Sequence, residues 1–225
     1  MNYYYPNQNE ALEAGLQRLR LKVCGMNKNT SAVAALTPDY LGFIFWEPSK
    51  RYFNTAMPDL PHTIKKVGVF VDASLAEVKE KVAEFQLLLV QLHGQESAAY
   101  CQELKALLPQ IKIIKVFSIR DTFNFKVLQA YESVCDHYLF DTKGALPGGN
   151  GYRFNWDTLK DYPSTKTYFL SGGIGLADTA ALLEFLKRPE AKYCHAVDVN
   201  STFEVEPGLK DIEQLKAFKT MWIEQ

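Results

Sequence analysis

Short apolar runs alternate along this chain with longer stretches in which apolar residues recur at helical spacing. The runs are Leu21–Cys24, Tyr40–Phe45, Lys66–Val71, Leu87–Gln91, Ile111–Phe117, Tyr138–Phe140, Tyr168–Leu170 and Ala196–Val199, and they read as strands. Leu75–Phe85 follows Ser74, a good helix N-cap. Ser97–Leu108 stops before Pro109, as a helix should. Asp178–Leu186 and Asp211–Trp222 read as further helices; the helical spacing after strands one, two and six is weaker. Strands alternating with helices imply a parallel sheet with right-handed crossovers. Eight such units within 225 residues imply an α/β fold of a single closed (β/α)8, or TIM, barrel. The first twenty residues precede the first strand. Asn9 can cap a short helix there, with Leu12, Leu16 and Leu19 on one face. The expected organisation is an N-terminal extension over 1–20 and one barrel domain over 21–225.

Composition narrows the class. Hydrophobic residues make up 47% of the chain and the formal net charge is −1, so a large core is available and nothing favours a nucleic-acid partner. No apolar run approaches the ~20 residues of a membrane span. The start, Met1-Asn2-Tyr3-Tyr4-Tyr5-Pro6, lacks the basic and apolar regions of a secretory signal. Four cysteines, at 24, 101, 135 and 194, form no Cys-x-x-Cys pair. Neither zinc nor a redox disulfide is expected, and a cytoplasmic protein with reduced thiols fits best.

The chemistry gathers at the strand ends, where the active sites of this barrel class lie. In order these ends carry Cys24, Glu47 with Arg51, Asp72, Gln91 with His93, Lys115, Asp141, Ser171-Gly172 and Asp198. Cys24 closes the first strand and is followed by Gly25, which permits close approach of backbone or ligand. Lys22 points to the same side as Cys24, about 7 Å away by strand rise. Two readings of Lys22 stand: its ammonium favours the thiolate, or an interior carboxylate such as Asp141 or Asp198 holds it. Asp141 follows Tyr138-Leu139-Phe140 and leads into a long loop of the kind that often forms a lid or binding loop; capping a turn there is its structural alternative. Gly148-Gly149-Asn150-Gly151 and Ser171-Gly172-Gly173-Ile174-Gly175 are glycine-rich. The second lies between strand seven and a helix, where consecutive N–H groups form an anion-binding nest. Arg51 can clamp a carboxylate through two parallel hydrogen bonds. His93 reads first as a packed or loop-capping residue. No spacing suggests a metal centre, and no G-x-G-x-x-G after an early strand suggests a nicotinamide or flavin.

Together these segments resemble the phosphoribosylanthranilate isomerase family of tryptophan biosynthesis. The resemblance rests on Lys22-Val23-Cys24-Gly25-Met26, Asp39-Tyr40-Leu41-Gly42-Phe43-Ile44-Phe45, Ser49-Lys50-Arg51-Tyr52, Gly68-Val69-Phe70-Val71, Gln91-Leu92-His93-Gly94, Phe140-Asp141, Ser171-Gly172-Gly173, Val197-Asp198-Val199-Asn200-Ser201 and Pro207-Gly208-Leu209-Lys210-Asp211. It implies a (β/α)8 barrel catalysing an Amadori rearrangement without cofactor or metal, as a monomer or homodimer, on a small phosphorylated substrate. It further implies Cys24 as general base, Asp141 as general acid and Arg51 as the holder of the anthranilate carboxylate. Gly172, Gly173, Asp198 and Asn200 would bind phosphate, largely through backbone N–H. Three positions depart from the family pattern: Lys50 stands for proline, Asn150 for threonine and Asn200 for serine. The competing expectations are a related sugar-phosphate isomerase or epimerase on the same barrel, and a phosphate-binding barrel without activity.

Overall fold

The computed structural model describes residues 19–120, 122–142 and 155–223. Eight parallel strands close on themselves in sequence order: β1 Arg20–Cys24, β2 Tyr40–Ile44, β3 Lys65–Phe70, β4 Leu89–Leu92, β5 Lys112–Ile119, β6 His137–Thr142, β7 Tyr168–Leu170 and β8 Cys194–Val199. Closure is direct, with Arg20, Leu21, Lys22 and Val23 of β1 in register with Ala196, Val197, Asp198 and Val199 of β8. The strands are apolar on both faces because both faces are covered. One face meets the helices; the other fills the barrel with Tyr40, Val67, Leu89, Ile114, Val116, Leu139, Phe169 and Ala196.

The outer layer holds helices α1 Thr30–Ala34, α2 Leu75–Phe85, α3 Ala98–Leu107, α4 Thr179–Leu186 and α5 Ile212–Ile223. Ser74 and Ser97 cap α2 and α3, their side chains accepting from the Glu77 and Tyr100 N–H groups, which satisfies otherwise orphaned donors. Buried residues recur at helical spacing: Val78 and Val82, Cys101 and Leu104, Leu182 and Phe185, Leu215 and Phe218.

Several connections are less regular than the sequence pattern suggests. No helix follows β2; that segment contains Pro48, Pro58 and Pro61, and proline removes a helical donor and clashes with the preceding turn. After β5 and, among the described residues, after β6 the outer layer is built from 3₁₀ turns, Phe125–Tyr131 and Trp156–Asp161. After β8 the chain makes a small antiparallel hairpin, β9 Glu204–Glu206 and β10 Leu209–Lys210, turning at Pro207-Gly208. Residues 1–18 of the expected extension over 1–20, and the Gly148-Gly149-Asn150-Gly151 segment, lie outside the described residues; Arg20, the last residue of that extension, already belongs to β1.

The N-terminal end of the barrel is closed by two half-stacked imidazoles, His137 and His195, with ring centroids 4.6 Å apart. His195 shares a 2.8 Å hydrogen bond with the Tyr40 hydroxyl, and His137 a 2.6 Å one with Thr167. Burial pushes both rings well below the ordinary histidine range, His137 to about 4 and His195 to about 3. Nearby Lys112 and Arg20 add to the effect at both. Both rings are therefore neutral at physiological pH.

Candidate active site

At the other end the strands open into a pocket. Cys24, Arg51, Gln91, His93, Asp141, Ser171, Gly172, Gly173, Asp198 and Asn200 all line it. Every catalytic or binding residue expected from the sequence is therefore at this mouth except Lys22, which sits fully buried beneath it; of the other strand-end residues, Glu47, Asp72 and Lys115 do not line it.

Cys24 ends β1 with its side chain inward. The space for it comes from Gly42, its register partner on β2: a Cβ at Gly42 would lie 2.7 Å from the Cys24 sulfur. Gly25 follows at φ +73°, tucked so tightly against Asn200 and Arg51 that a Cβ would reach within 2.6 Å and 2.8 Å of them. Glycine here thus satisfies both a left-handed backbone and a close approach.

Both readings of Lys22 hold in part. Its ammonium lies 2.8 Å from Asp198 Oδ1. Burial opposes its charge most, but Asp198 and Cys24 together outweigh burial and raise the Lys22 pKa. The same ammonium pulls the Cys24 thiol toward ionisation, as Lys210 does. Burial is the larger influence and leaves the thiol above its usual range, so the ammonium favours the thiolate as expected without offsetting burial.

The Asp198 side chain faces the acid–base cluster, which leaves its backbone for the phosphate role that the resemblance implies. Its carboxylate is engaged by Lys22 and accepts a 3.3 Å hydrogen bond from Ser171 Oγ. A buried anion repels phosphate, so this side chain joins the acid–base cluster instead. Asn200 Oδ1 accepts from Lys210 at 2.8 Å, which leaves its backbone N–H and its Nδ2 as the donors it can offer.

Asp141 lies within β6, one residue before its end, and is nearly buried. Its Oδ1 accepts from the Thr142 N–H at 2.9 Å, and its Oδ2 lies 3.4 Å from His93 Nε2. His93 is thus a site residue beside the acid, not a packed or loop-capping one. Gln91, two residues earlier, reaches the other ring nitrogen at 3.5 Å. Strand-end position was the one signal that could have found His93; its partner comes from a strand two places away and is seen only once the barrel closes. Lys115, also expected at the mouth, turns aside to Glu96 at 2.8 Å.

Gly172 and Gly173 both adopt positive φ, +94° and +68°, a backbone that glycine accommodates, and both line the pocket, where main-chain N–H groups of such a turn can serve an anion. The Gly175 N–H is taken by Asp178 at 2.9 Å, so the nest is confined to the residues before it.

Arg51 points over the pocket rim with one edge of its guanidinium on Glu204: Nε lies 2.9 Å from both carboxylate oxygens and Nη2 2.6 Å from Oε2. Sequence reasoning missed Glu204 because it belongs to the hairpin, whose only signal was the Pro207-Gly208 turn dipeptide. Among the described residues no cluster of three metal-ligating side chains occurs, and no helix is long and apolar enough to cross a membrane.

A thiol and a carboxylic acid facing one pocket at the strand C-termini, beside a backbone anion nest, define an acid–base enzyme of the (β/α)8 class. Comparison with known proteins narrows the class. The family model described as N-(5′-phosphoribosyl)anthranilate (PRA) isomerase matches residues 21–220, and the chain belongs to this family. It is 39% identical over 206 residues to the N-(5′-phosphoribosyl)anthranilate isomerase of Parabacteroides distasonis, covering 88% of this chain and 90% of that one. It is 38% identical over 200 residues to that of Phocaeicola vulgatus, covering 88% and 95%. Among solved structures it is similar to the phosphoribosyl anthranilate isomerases of Thermus thermophilus (TM-score 0.76, 25% identity, 92% of this chain and 99% of that one) and Thermotoga maritima (TM-score 0.75, 27% identity, 92% and 100%). A further similar isomerase structure, at 25% identity and TM-score 0.71 over 92% of this chain and 100% of that one, is a complex with reduced 1-(o-carboxyphenylamino)-1-deoxyribulose 5-phosphate.

Proposed function

We propose that this chain converts N-(5′-phosphoribosyl)anthranilate to 1-(2-carboxyphenylamino)-1-deoxyribulose 5-phosphate, an Amadori rearrangement in tryptophan biosynthesis, with Asp141 as general acid and Cys24 as general base. The observation that carries this reading is that both groups line one pocket whose rim also presents Arg51 and the Gly172-Gly173 nest. A substrate with a carboxylate at one end and a phosphate at the other would span Arg51 and the nest, with its ribose between acid and base.

Asp141 protonates the furanose ring oxygen, which opens the ring to a Schiff base. Cys24 then removes the C2′ proton; the electron pair moves into the imine and gives an enolamine, which tautomerises to the aminoketose. The imine nitrogen is the electron sink, so the chemistry needs no external electron acceptor. His93 is poised to steady the carboxylate that Asp141 becomes. The buried Gln91 Oε1 has no hydrogen-bond partner among the described residues and suits a ribose hydroxyl. Phosphate is held at Gly172, Gly173 and the Asn200 loop by main-chain donors, a mode insensitive to asparagine in place of serine.

The chain is proposed to act in the cytoplasm, as a monomer or homodimer. All four cysteines are free and buried, which supports a reducing compartment. A similar Thermotoga maritima structure is described as monomers generated from a dimeric isomerase.

The test is turnover of phosphoribosylanthranilate by purified protein, followed as loss of its fluorescence. Cys24→Ala and Asp141→Asn should each lower kcat by about 10²–10⁴, roughly 3–5 kcal/mol of transition-state stabilisation. A folded Cys24→Ala protein with wild-type turnover would remove the base assignment.

A further inference from the structure

The hairpin behind the pocket carries two charged side chains for which the reaction as written has no use. Glu204 is buried and so is Lys210, whose side chain has no exposure at all. Neither lines the pocket; both stand behind Arg51, which does. Glu204 grips the Nε–Nη2 edge of the guanidinium. Lys210 Nζ donates to the same carboxylate, to Oε1 at 2.7 Å, and to the Asn200 backbone oxygen and Oδ1 at 3.1 Å and 2.8 Å. Burial lowers the Lys210 pKa to about 8, with Glu204 holding it up, so at neutral pH the ammonium is predominantly charged.

Charge counting decides what this arrangement does. Arg51 and Glu204 alone form a neutral unit. A ligand carboxylate approaching that unit would gain a guanidinium and lose as much to the carboxylate behind it. Lys210 adds one charge and restores a net positive unit at the rim. The geometry leaves room for its use: a guanidinium offers five N–H donors in a planar fork. With Glu204 on the Nε–Nη2 edge, the Nη1 side is left to pair with a second carboxylate.

We propose that Lys210 is the positioning residue that makes the Arg51 clamp selective for a carboxylate on the ligand, by cancelling the charge of Glu204 behind the guanidinium. This rests on the reading that Arg51 receives the anthranilate carboxylate. Glu204 fixes the plane of the guanidinium and Lys210 sets the charge of the unit. The backbone of β10 does not depend on the ammonium, since Asn29 bonds both the Lys210 N–H and its carbonyl, at 3.0 Å and 2.9 Å. Lys210→Met also leaves Glu204 paired with Arg51, so no buried charge is stranded.

The test is equilibrium binding at neutral pH, which keeps the titration of Cys24 out of the measurement. Two ligands are compared by calorimetry: reduced 1-(o-carboxyphenylamino)-1-deoxyribulose 5-phosphate and its phenyl counterpart lacking the carboxyl group. Wild-type protein should prefer the carboxylated ligand. Lys210→Met should cut that preference about ten-fold or more with the phenyl compound's Kd unchanged. Lys210→Met combined with Glu204→Gln returns the unit to one net positive charge and should regain the preference. A Lys210→Met protein that loses both ligands alike, or a double variant that regains nothing, overturns the proposal in favour of a structural role. Should Lys210→Met fail to fold, Glu204→Gln alone decides. It removes the charge that Lys210 cancels; even if Lys210, no longer held up by Glu204, gives up its proton, Arg51 keeps the unit net positive, so the preference must hold or grow, and a fall overturns the proposal. Arg51→Ala separates the underlying reading: if it weakens both ligands equally, Arg51 does not hold the carboxylate, and that reading fails with the proposal.

Discussion

Gly42 pairs with Cys24 across β1 and β2, and the thiol occupies the space that a side chain at Gly42 would fill. Its backbone is ordinary strand, so only volume is at stake. Gly42→Ala should force the sulfur aside and lower kcat by about ten- to a hundred-fold, because misplacing a catalytic group by about 1 Å costs that much. The accompanying stability loss should be about 1–3 kcal/mol, typical of overpacking. Unchanged kcat in the folded variant would mean that the thiol's position does not limit the reaction. At this scale the sequence spoke unevenly. Cys24, Asp141, Arg51 and the two glycines at 172 and 173 could be named because each ends or follows an apolar run. The partners of those residues could not. His93 meets Asp141 only through closure of the barrel, and Glu204 meets Arg51 across 153 positions of chain.

The loop after β4 is held by an element-level staple. Glu96 accepts from the backbone N–H groups of Asp72 and Gly94, and Lys115 of β5 donates to Glu96 and to the Leu92 and Gly94 carbonyls. His93 sits between those two carbonyls in sequence, so the staple fixes the ring that faces Asp141. Glu96→Gln leaves the Lys115 ammonium without its carboxylate. Breaking a buried pair from one side costs about 3–5 kcal/mol, to be read as a lower denaturant midpoint. A fall in kcat should accompany it as His93 shifts. If the midpoint does not move, the staple carries no load. Elements were more legible than contacts. Strands buried on both faces are mostly apolar, so all eight stood out, and the serine caps marked α2 and α3. The β9–β10 hairpin was hidden because strands of two and three residues have no measurable alternation. The 3₁₀ segments after β5 and β6 were hidden because, at three residues per turn, they do not follow the 3.6-residue spacing by which a helix is read.

Across the whole molecule the two barrel ends are tuned to opposite tasks, chemistry at one and closure by neutral imidazoles at the other. In the unfolded chain His137 and His195 titrate near 6.5; in the fold they do so at about 4 and about 3. The stability they support is therefore complete above pH 6.5. It declines as pH falls, because the unfolded chain binds protons first, and is lost once pH passes the folded values. The slope is up to about 1.4 kcal/mol per pH unit for each ring. Urea midpoints between pH 7 and 4.5 should fall less steeply for His137→Gln than for wild type; parallel profiles would mean that His137 takes up its proton without cost. The far end of the same barrel has a consequence for folding. Lys22 and Asp198 join β1 to β8 across 176 positions, a loop whose closure entropy is among the largest the chain must overcome. That contact should therefore form after the folding transition state. In a chevron experiment Lys22→Met should steepen nothing and slow little on the refolding arm, while unfolding accelerates by nearly the whole stability change. A slowed refolding arm would place the seam in the nucleus. If unfolding alone changes, the ammonium beside the Cys24 thiol is also the latch that governs how long a finished molecule survives.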